Sequence, residues 1–334
     1  MTEEVTIRRG TNGDFQRVEE ILRSAYSNPT SPHSYIVDAN LPFGLAGDAA
    51  WDLWGVSCVR SGNFFVACLG DEVVGFEFYF KGGALSKILE KDWYSLGILA
   101  ITPALQGKGI GMKLVTATIN HLKSLGAKFI NVGTDLDNIP AISCYEKCGM
   151  RVIYSSGLYR FYTRKGEHPL LEQKFKVQPV KEEDYDEIRK IFLFSTQFDQ
   201  LHVDAKIPRG KLEEMDDLNA EQLIRSFIDR KSECLVSLKQ GRVVGFAAFS
   251  LNQTLTKTYD MKYGDVDSFA VHPDYRGQGI GTDLLRSIIR SWIIPNQIEV
   301  TECSIPMNDW PAINIAQKCG FRLAHCSLIL RSWY

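Results

Sequence analysis

The stretch "PALQGKGIGMKLV" (residues 103–115) sets three glycines, Gly107, Gly109 and Gly111, at alternate positions just before a segment with helical apolar spacing. A glycine has no Cβ, so the backbone there takes φ > 0 freely and approaches a ligand closely, leaving successive N–H groups aimed into one concavity. With the positive end of a helix dipole behind them, such donors suit a pyrophosphate. Gln106 at the loop's start and Lys108 within it could add further donors. A P-loop would need Ser or Thr after "GK", which "GKGIG" does not supply. A Rossmann loop would need a glycine where Met112 stands and a place near the first strand of its domain, whereas this loop comes about 100 residues in. A glycine turn that does no more than cap a helix is the remaining alternative.

The device occurs twice. "PDYRGQGIGTDLL" (273–285) has the same glycine spacing, so that Gly109 falls on Gly279, 170 positions on, and Met112 on Thr282. At the same offset Val73, Val74, Gly75 and Phe76 meet Val243, Val244, Gly245 and Phe246. Upstream, "IRRGTNGDFQRVEEIL" meets "VQPVKEEDYDEIRKIF"; downstream, "NIPAISCYEKCGMR" meets "NDWPAINIAQKCGFR" at an offset of 171, read as one residue inserted after Asn308. A period this long is a domain duplication, since solenoid repeats run to about 20–50 residues. The seam is expected in the charged stretch 163–176, near Leu170, giving domains over 1–170 and 171–334.

A chain of 334 residues that is 45% apolar and 23% charged can bury a core in each half. Its net charge of −2, without a long Lys/Arg block, argues against nucleic acid or a membrane surface as partner. The opening "MTEEVTIRRG" has no apolar leader core and no stretch approaches a membrane span, so the reading is cytoplasmic, as monomer or homodimer. Most of the eight cysteines lie in apolar periodic segments and read as buried thiols; Cys144 and Cys148, four apart, lack the further ligands a zinc site needs, and no metal is expected.

Within the first copy the pattern alternates between the two periods. Strands are expected at 5–9, 63–69, 73–80, 93–102 and 128–133, with a closing strand pair around 151–163. Helices are expected at 14–26, 110–125 and 139–147. The fold class is mixed α/β, a mixed sheet with helices on both faces.

Strand, Pro, then Gln106-x-x-Gly109-x-Gly111 opening a helix resembles the acetyl-CoA motif of the GNAT N-acetyltransferase superfamily, as does Arg276-x-x-Gly279-x-Gly281. A second signature of that family is matched by Asn138, Ala141, Tyr145, Gly149 and Met150. The resemblance covers essentially the whole chain and implies two tandem domains, each with a splayed sheet whose V holds pantetheine. It assigns acetyl-CoA to Ile101, Gln106, Gly107, Lys108, Gly109, Ile110, Gly111 and Asn138 in the first copy. In the second it assigns Val271, Arg276, Gly277, Gln278, Gly279, Ile280 and Gly281. The implied reaction is direct attack of a small-molecule primary amine on the thioester, with no covalent enzyme intermediate.

Such an attack requires removal of a proton from the ammonium and benefits from a proton delivered to the departing thiolate. The resemblance implies a carboxylate on the strand before the loop and the tyrosine of the second signature, and the copies divide these parts. The first has Tyr145 but carries Ser95 and Gly97 on "WYSLGILAITP", leaving Asp92, His33, Asp38, Asp135 and Asp137 as substitutes for the base. The second carries Asp265 and Asp267 on "GDVDSFAVHP", placed on one face by strand alternation, but has Ala316 in the tyrosine's place, with Tyr263 or Cys303 as substitutes. The first copy is expected to catalyse and the second to bind or to support, the reverse staying open. The acceptor (an amino sugar, amino acid or polyamine-like amine) is expected to be chosen by the aromatic segment 28–55. A tandem acyl-CoA sensor would use the same loops without either proton-transfer group.

Overall fold

The computed structural model describes residues 4–26, 63–163, 174–196 and 207–334. The first half of the chain runs β1 (Val5–Arg9), α1 (Phe15–Tyr26), β2 (Phe64–Leu69), β3 (Glu72–Lys81), α2 (Gly83–Leu89), β4 (Trp93–Ile101), α3 (Ile110–Ser124), β5 (Phe129–Asp135), α4 (Ile139–Lys147) and β6 (Arg151–Tyr162). The second runs β7 (Lys176–Pro179), α5 (Tyr185–Leu193), α6 (Arg209–Ile228), β8 (Glu233–Lys239), β9 (Arg242–Leu251), α7 (Gln253–Tyr259), β10 (Tyr263–Val271), α8 (Ile280–Ile288), β11 (Val300–Pro306), α9 (Trp310–Lys318) and β12 (Arg322–Trp333). The short helices α2 and α7 leave no periodic trace in the sequence, because seven residues make only two turns.

Two compact units result, and they do not follow chain order. One comprises Met1–Ser155 with Cys326–Tyr334, the other Ser156–His325. In the first the strands lie in the order β1-β2-β3-β4-β5-β12, in the second β6-β11-β10-β9-β8-β7. Each half of the chain thus gives its last strand to the other unit: Ser327–Trp333 pair antiparallel with Phe129–Asp135, and Ser156–Tyr162 with Val300–Pro306. The expected seam at 163–176 lies largely outside the described residues. The closing strand pair expected at 151–163 is instead one twelve-residue strand, Arg151–Tyr162, with Gly157 in its interior. A Cβ there would lie 2.9 Å from side-chain atoms of Leu323 and Tyr159, so the glycine serves close packing within an extended strand.

Both faces of each sheet are covered. In the first unit Gly75, Glu77 and Tyr79 face α3, where a Cβ on Gly75 would strike Ile101 and touch Leu114, and the Tyr79 hydroxyl lies 3.0 Å from His121. The alternate residues Phe76 and Phe78 join Phe64, which packs on Phe15 of α1. In the second unit Leu284, Leu285 and Ile288 of α8 bury against Ala247, Phe249 and Val266, while Ile188 and Ile191 of α5 bury against Val236, Phe246 and Ala248. The start of α1 is fixed by Asp14, which accepts from the Thr11 amide at 2.8 Å and from both terminal nitrogens of Arg8 at 2.7 and 2.8 Å. Those donors hold its carboxyl down at about 2, the Arg8 hydrogen bonds first.

The inserted residue is not after Asn308. Trp93 pairs with Phe129 and Tyr263 with Val300, so the offset has already become 171 at β11. The extra residue sits in the preceding helix, where α8 continues as a five-residue π turn, Ile289–Ile293. A π turn holds one residue more than an α turn, so it absorbs the insertion without displacing β11. Asn138 therefore corresponds to Asp309, and each caps the helix it precedes: Asn138 accepts from the Ala141 amide and Asp309 from the Ala312 amide.

Candidate functional site

Both strand pairs ahead of the glycine loops open along their length. The ladder between β4 and β5 runs from Trp93/Phe129 to Leu96/Val132, although β4 continues to Ile101 and β5 to Asp135. That between β10 and β11 runs from Tyr263/Val300 to Asp265/Glu302, although β10 continues to Val271 and β11 to Pro306. Each V leaves backbone groups along its inner edges able to pair with an extended ligand.

At the head of each V stands a glycine loop. Gly107 and Gly109 take φ of 75° and 80°, Gly277 and Gly279 φ of 75° and 98°, values that L side chains adopt with strain. Among the described residues no carbonyl accepts from the amides of 107–112 or of 277–282, which leaves a row of donors at each helix N-terminus. Gln106 and Arg276 do the same job in the two loops: each side chain turns back to donate to the carbonyl that ends the preceding strand, of Ile101 and Val271, at 3.1 Å. They brace the loops. Lys108 is exposed, and Gln278 accepts from Lys239 at 2.7 Å. Ile110 and Ile280 bury their side chains and leave only backbone to a ligand. Gly111 and Gly281 are helical; a Cβ on Gly281 would strike Ile315 at 2.8 Å, so that glycine serves helix packing.

The vertices differ. In the second unit Asp265 and Glu302 are the last cross-strand pair before the strands part. Asp265 accepts from Asn252 at 3.0 Å. Glu302 accepts on one oxygen from the Tyr263 hydroxyl at 2.5 Å and from Arg160 Nε at 3.2 Å. Burial, then the Glu302 and Asp267 carboxylates, push Asp265 up to about 7. Burial raises Tyr263 far above the ordinary phenol range, so it stays a donor. Asp267, exposed at its side chain, accepts from Ser250 at 3.1 Å and is also raised, by partial desolvation against its neighbours. It is the extra residue of a β-bulge, since Val266 pairs with Phe249 and Ser268 with Ala248. Simple alternation therefore does not carry across it, and the bulge is what re-aims the chain here.

In the first unit the corresponding positions hold Ser95, Asn131 and Trp93. Ser95 pairs with Asn131 across the ladder, Arg331 Nε donates to Asn131 at 2.6 Å, and the Arg331 guanidinium lies 4.5 Å from the Trp93 ring centre. The bulge recurs at Gly97, where a Cβ would meet the Phe80 ring at 2.4 Å. Asp92, at the strand's start, is paired with Lys81 at 2.5 Å. Asp135 is buried and Asp137 exposed, while His33, Asp38 and the whole of segment 28–55 lie outside the described residues.

The acetyltransferase (GNAT) family model matches residues 15–150 and, a second time, residues 195–321. The chain belongs to the GNAT family of acetyltransferases. An uncharacterised N-acetyltransferase of Bacillus subtilis is 33% identical over 94 residues, 28% of this chain and 56% of that protein. A mycothiol acetyltransferase of Streptomyces scabiei is 31% identical over 101 residues, 30% of this chain and 31% of that one. The chain thus aligns with well under two thirds of either relative. Among solved structures, a GCN5-related N-acetyltransferase from Sphaerobacter thermophilus superposes with a TM-score of 0.62 over 98% of this chain and 95% of that one, at 12% identity. A tandem GNAT protein from the clavulanic acid biosynthesis pathway does so with a TM-score of 0.59 over 99% and 98%, at 14% identity. At such identities the likeness is one of fold.

In this GNAT chain Tyr145 is 4% exposed on α4, in the core cluster beneath α3, and Ala316 fills the matching place on α9 with no exposed area. Cys303 is buried in the second unit's core, its thiol raised by that burial. Sequence reasoning singled out Asp265 but missed Glu302, Arg160 and Asn252, whose relation to it comes from lateral strand register. A signal for them was present. Ser95 to Asp265, Trp93 to Tyr263 and Gly82 to Asn252 all change together at offset 170, and Asn131 to Glu302 at 171.

Proposed function

We propose that this acetyltransferase takes its acetyl group from acetyl-CoA and passes it directly to the primary amine of a small molecule, an amino sugar, amino acid or polyamine-like compound. The observation that carries this reading is the open strand pair headed by a glycine loop of unpaired amides, with a carboxylate at its vertex in the second unit. The loop amides would take the pyrophosphate and the edges of the V the pantetheine amides. The amine nitrogen attacks the thioester carbonyl carbon; the C–N bond forms, the C–S bond breaks, and sulfur leaves with the electron pair. Asp265 is proposed as the base that takes the ammonium proton, with Asp267 beside it attracting the cation. A carboxyl pushed to about 7 is matched to that task near neutral pH. In the first unit Tyr145 is proposed as the proton donor to the thiolate.

The test is release of free CoA thiol over a panel of primary amines by the full chain. Asp265→Asn is expected to lower kcat/KM by about 10²–10⁴-fold, the usual contribution of a positioned base. Tyr145→Phe is expected to lower turnover only if the first unit also catalyses. Gly109→Glu and Gly279→Glu should each remove one equivalent of bound CoA in titration. Acetyl-CoA binding without turnover on any amine would refute the reading in favour of a sensor.

A further inference from the structure

We infer that Glu302, held by Arg160 and Tyr263, is a positioning residue that sets Asp265 as the proton acceptor of the second unit. This rests on the reading of Asp265 as the base, and it goes further by giving three residues outside the loop and signature motifs a role in the reaction.

Both vertices contain an arginine from the exchanged closing strand, Arg160 of β6 and Arg331 of β12, and each bonds the residue at the same place on the neighbouring strand. In the first unit that residue is the neutral Asn131, which accepts from the Arg331 guanidinium where it lies against the Trp93 ring. The fold therefore does not need a carboxylate there. In the second unit Glu302 replaces it, in register with Asp265, which sets a buried acid beside a half-buried one. Burying an additional charge is unfavourable unless it is paired, and Arg160 and the Tyr263 hydroxyl supply the pairing. The surroundings change in concert. Trp93 gives way to Tyr263, which donates to Glu302; Gly82 to Asn252, which donates to Asp265; Phe80 and Gly97 to Ser250 and Asp267, which bond each other.

The groups that act on Asp265 are Glu302 from β11, Tyr263 and Asp267 from β10, and Asn252 ahead of α7, while Arg160 from β6 bonds Glu302 and Ser250 and Ser232 bond Asp267. Of these, the Glu302 carboxylate is the anion in register with Asp265. A neighbouring anion disfavours the ionised form of a carboxyl, so it strengthens Asp265 as a base; Arg160 keeps the pair from being expelled. One consequence concerns the chain as a whole: Arg160 precedes the seam in sequence, so the second unit's acid–base group draws on the first half of the chain.

The test uses the full chain with carboxyl-labelled aspartate. The Asp265 carbon resonance is assigned by its loss in Asp265→Asn and titrated with pH beside the pH profile of kcat/KM. In Glu302→Gln, both the Asp265 titration and the acid limb of the profile should move down by about one pH unit. The KM for acetyl-CoA should stay within about two-fold while kcat falls. Glu302→Asp and Arg160→Lys, which keep the charges, should restore most of the shift and serve if Glu302→Gln folds poorly. A lower Tm with an unmoved Asp265 titration would show that the cluster is structural, overturning the proposal while leaving Asp265 as base. Undiminished turnover in Asp265→Asn would instead remove the base reading, and this proposal with it.

Discussion

Glu77 lies in the middle of β3 with no exposed area, and neither carboxyl oxygen has a hydrogen-bond partner among the described residues. Burial pushes it up to about 8. It is therefore largely protonated in the folded state at neutral pH and ionised in the unfolded chain, where an ordinary glutamate titrates near 4.3. Between those two values the folded state binds the extra proton, so its contribution to stability is present below about 4.3 and is lost as pH rises through about 8. The protein is expected to lose about 1–4 kcal/mol more between pH 5.5 and pH 8 than Glu77→Gln does, read from urea unfolding at the two pH values. Equal losses in the two proteins would show that Glu77 does not carry this dependence. Nothing in "VVGFEF" marks the residue as buried: a glutamate in an alternating strand reads as solvent-facing, and only the lie of α3 across the sheet decides otherwise. Asp265 was legible for the opposite reason, because its place on the strand before the loop is fixed by local sequence.

At the level of elements, the loops, their flanking strands and helices, and the hairpins were legible because each is specified by residues close together. The π turn was not, since a one-residue insertion looks the same in sequence wherever the flanking similarity is weak. Up to Ile289 the second unit follows the first at offset 170, with Ile289 on Ile119; from Trp292 onward it follows at 171, with Trp292 on His121 and Ile293 on Leu122. Ser291 is the exposed residue between, and its hydroxyl donates to the Ser287 carbonyl of the same helix. Deleting Ser291 should turn the π turn into α-helix, leave Trp292, Ile293 and β11 in place, and cost less than about 1 kcal/mol. Deleting Ile289, which is 8% exposed in the core, should shift the buried face and cost about 2–5 kcal/mol. Urea midpoints and circular dichroism of the two deletions decide the matter. Comparable losses would place the insertion elsewhere.

For the whole molecule, the duplication was legible from the twin loops, and the division into compact units was not. Strand exchange leaves no local mark, because the last strand of either copy has the same alternating pattern whichever partner it meets. What decides membership is contact: Leu330, with no exposed area, belongs to the first unit's core beside Val115, Ile130 and Val132, and Tyr159 to the second unit's beside Cys303 and Phe321. Removing a buried leucine leaves a cavity and costs about 2–5 kcal/mol, and truncating a buried aromatic costs about 3–5. Leu330→Ala is therefore expected to speed amide hydrogen exchange in β5 and β4, some 200 positions upstream, while β10 and β11 keep their protection. Tyr159→Ala should do the converse, loosening β11 and β10 in the second half of the chain and sparing β4 and β5. If the closing strands were not exchanged, each substitution would loosen its own half. Exchange measured by mass spectrometry on both variants separates the two arrangements, and only the crossed pattern is compatible with Arg160 reaching Glu302 from the far half of the sequence.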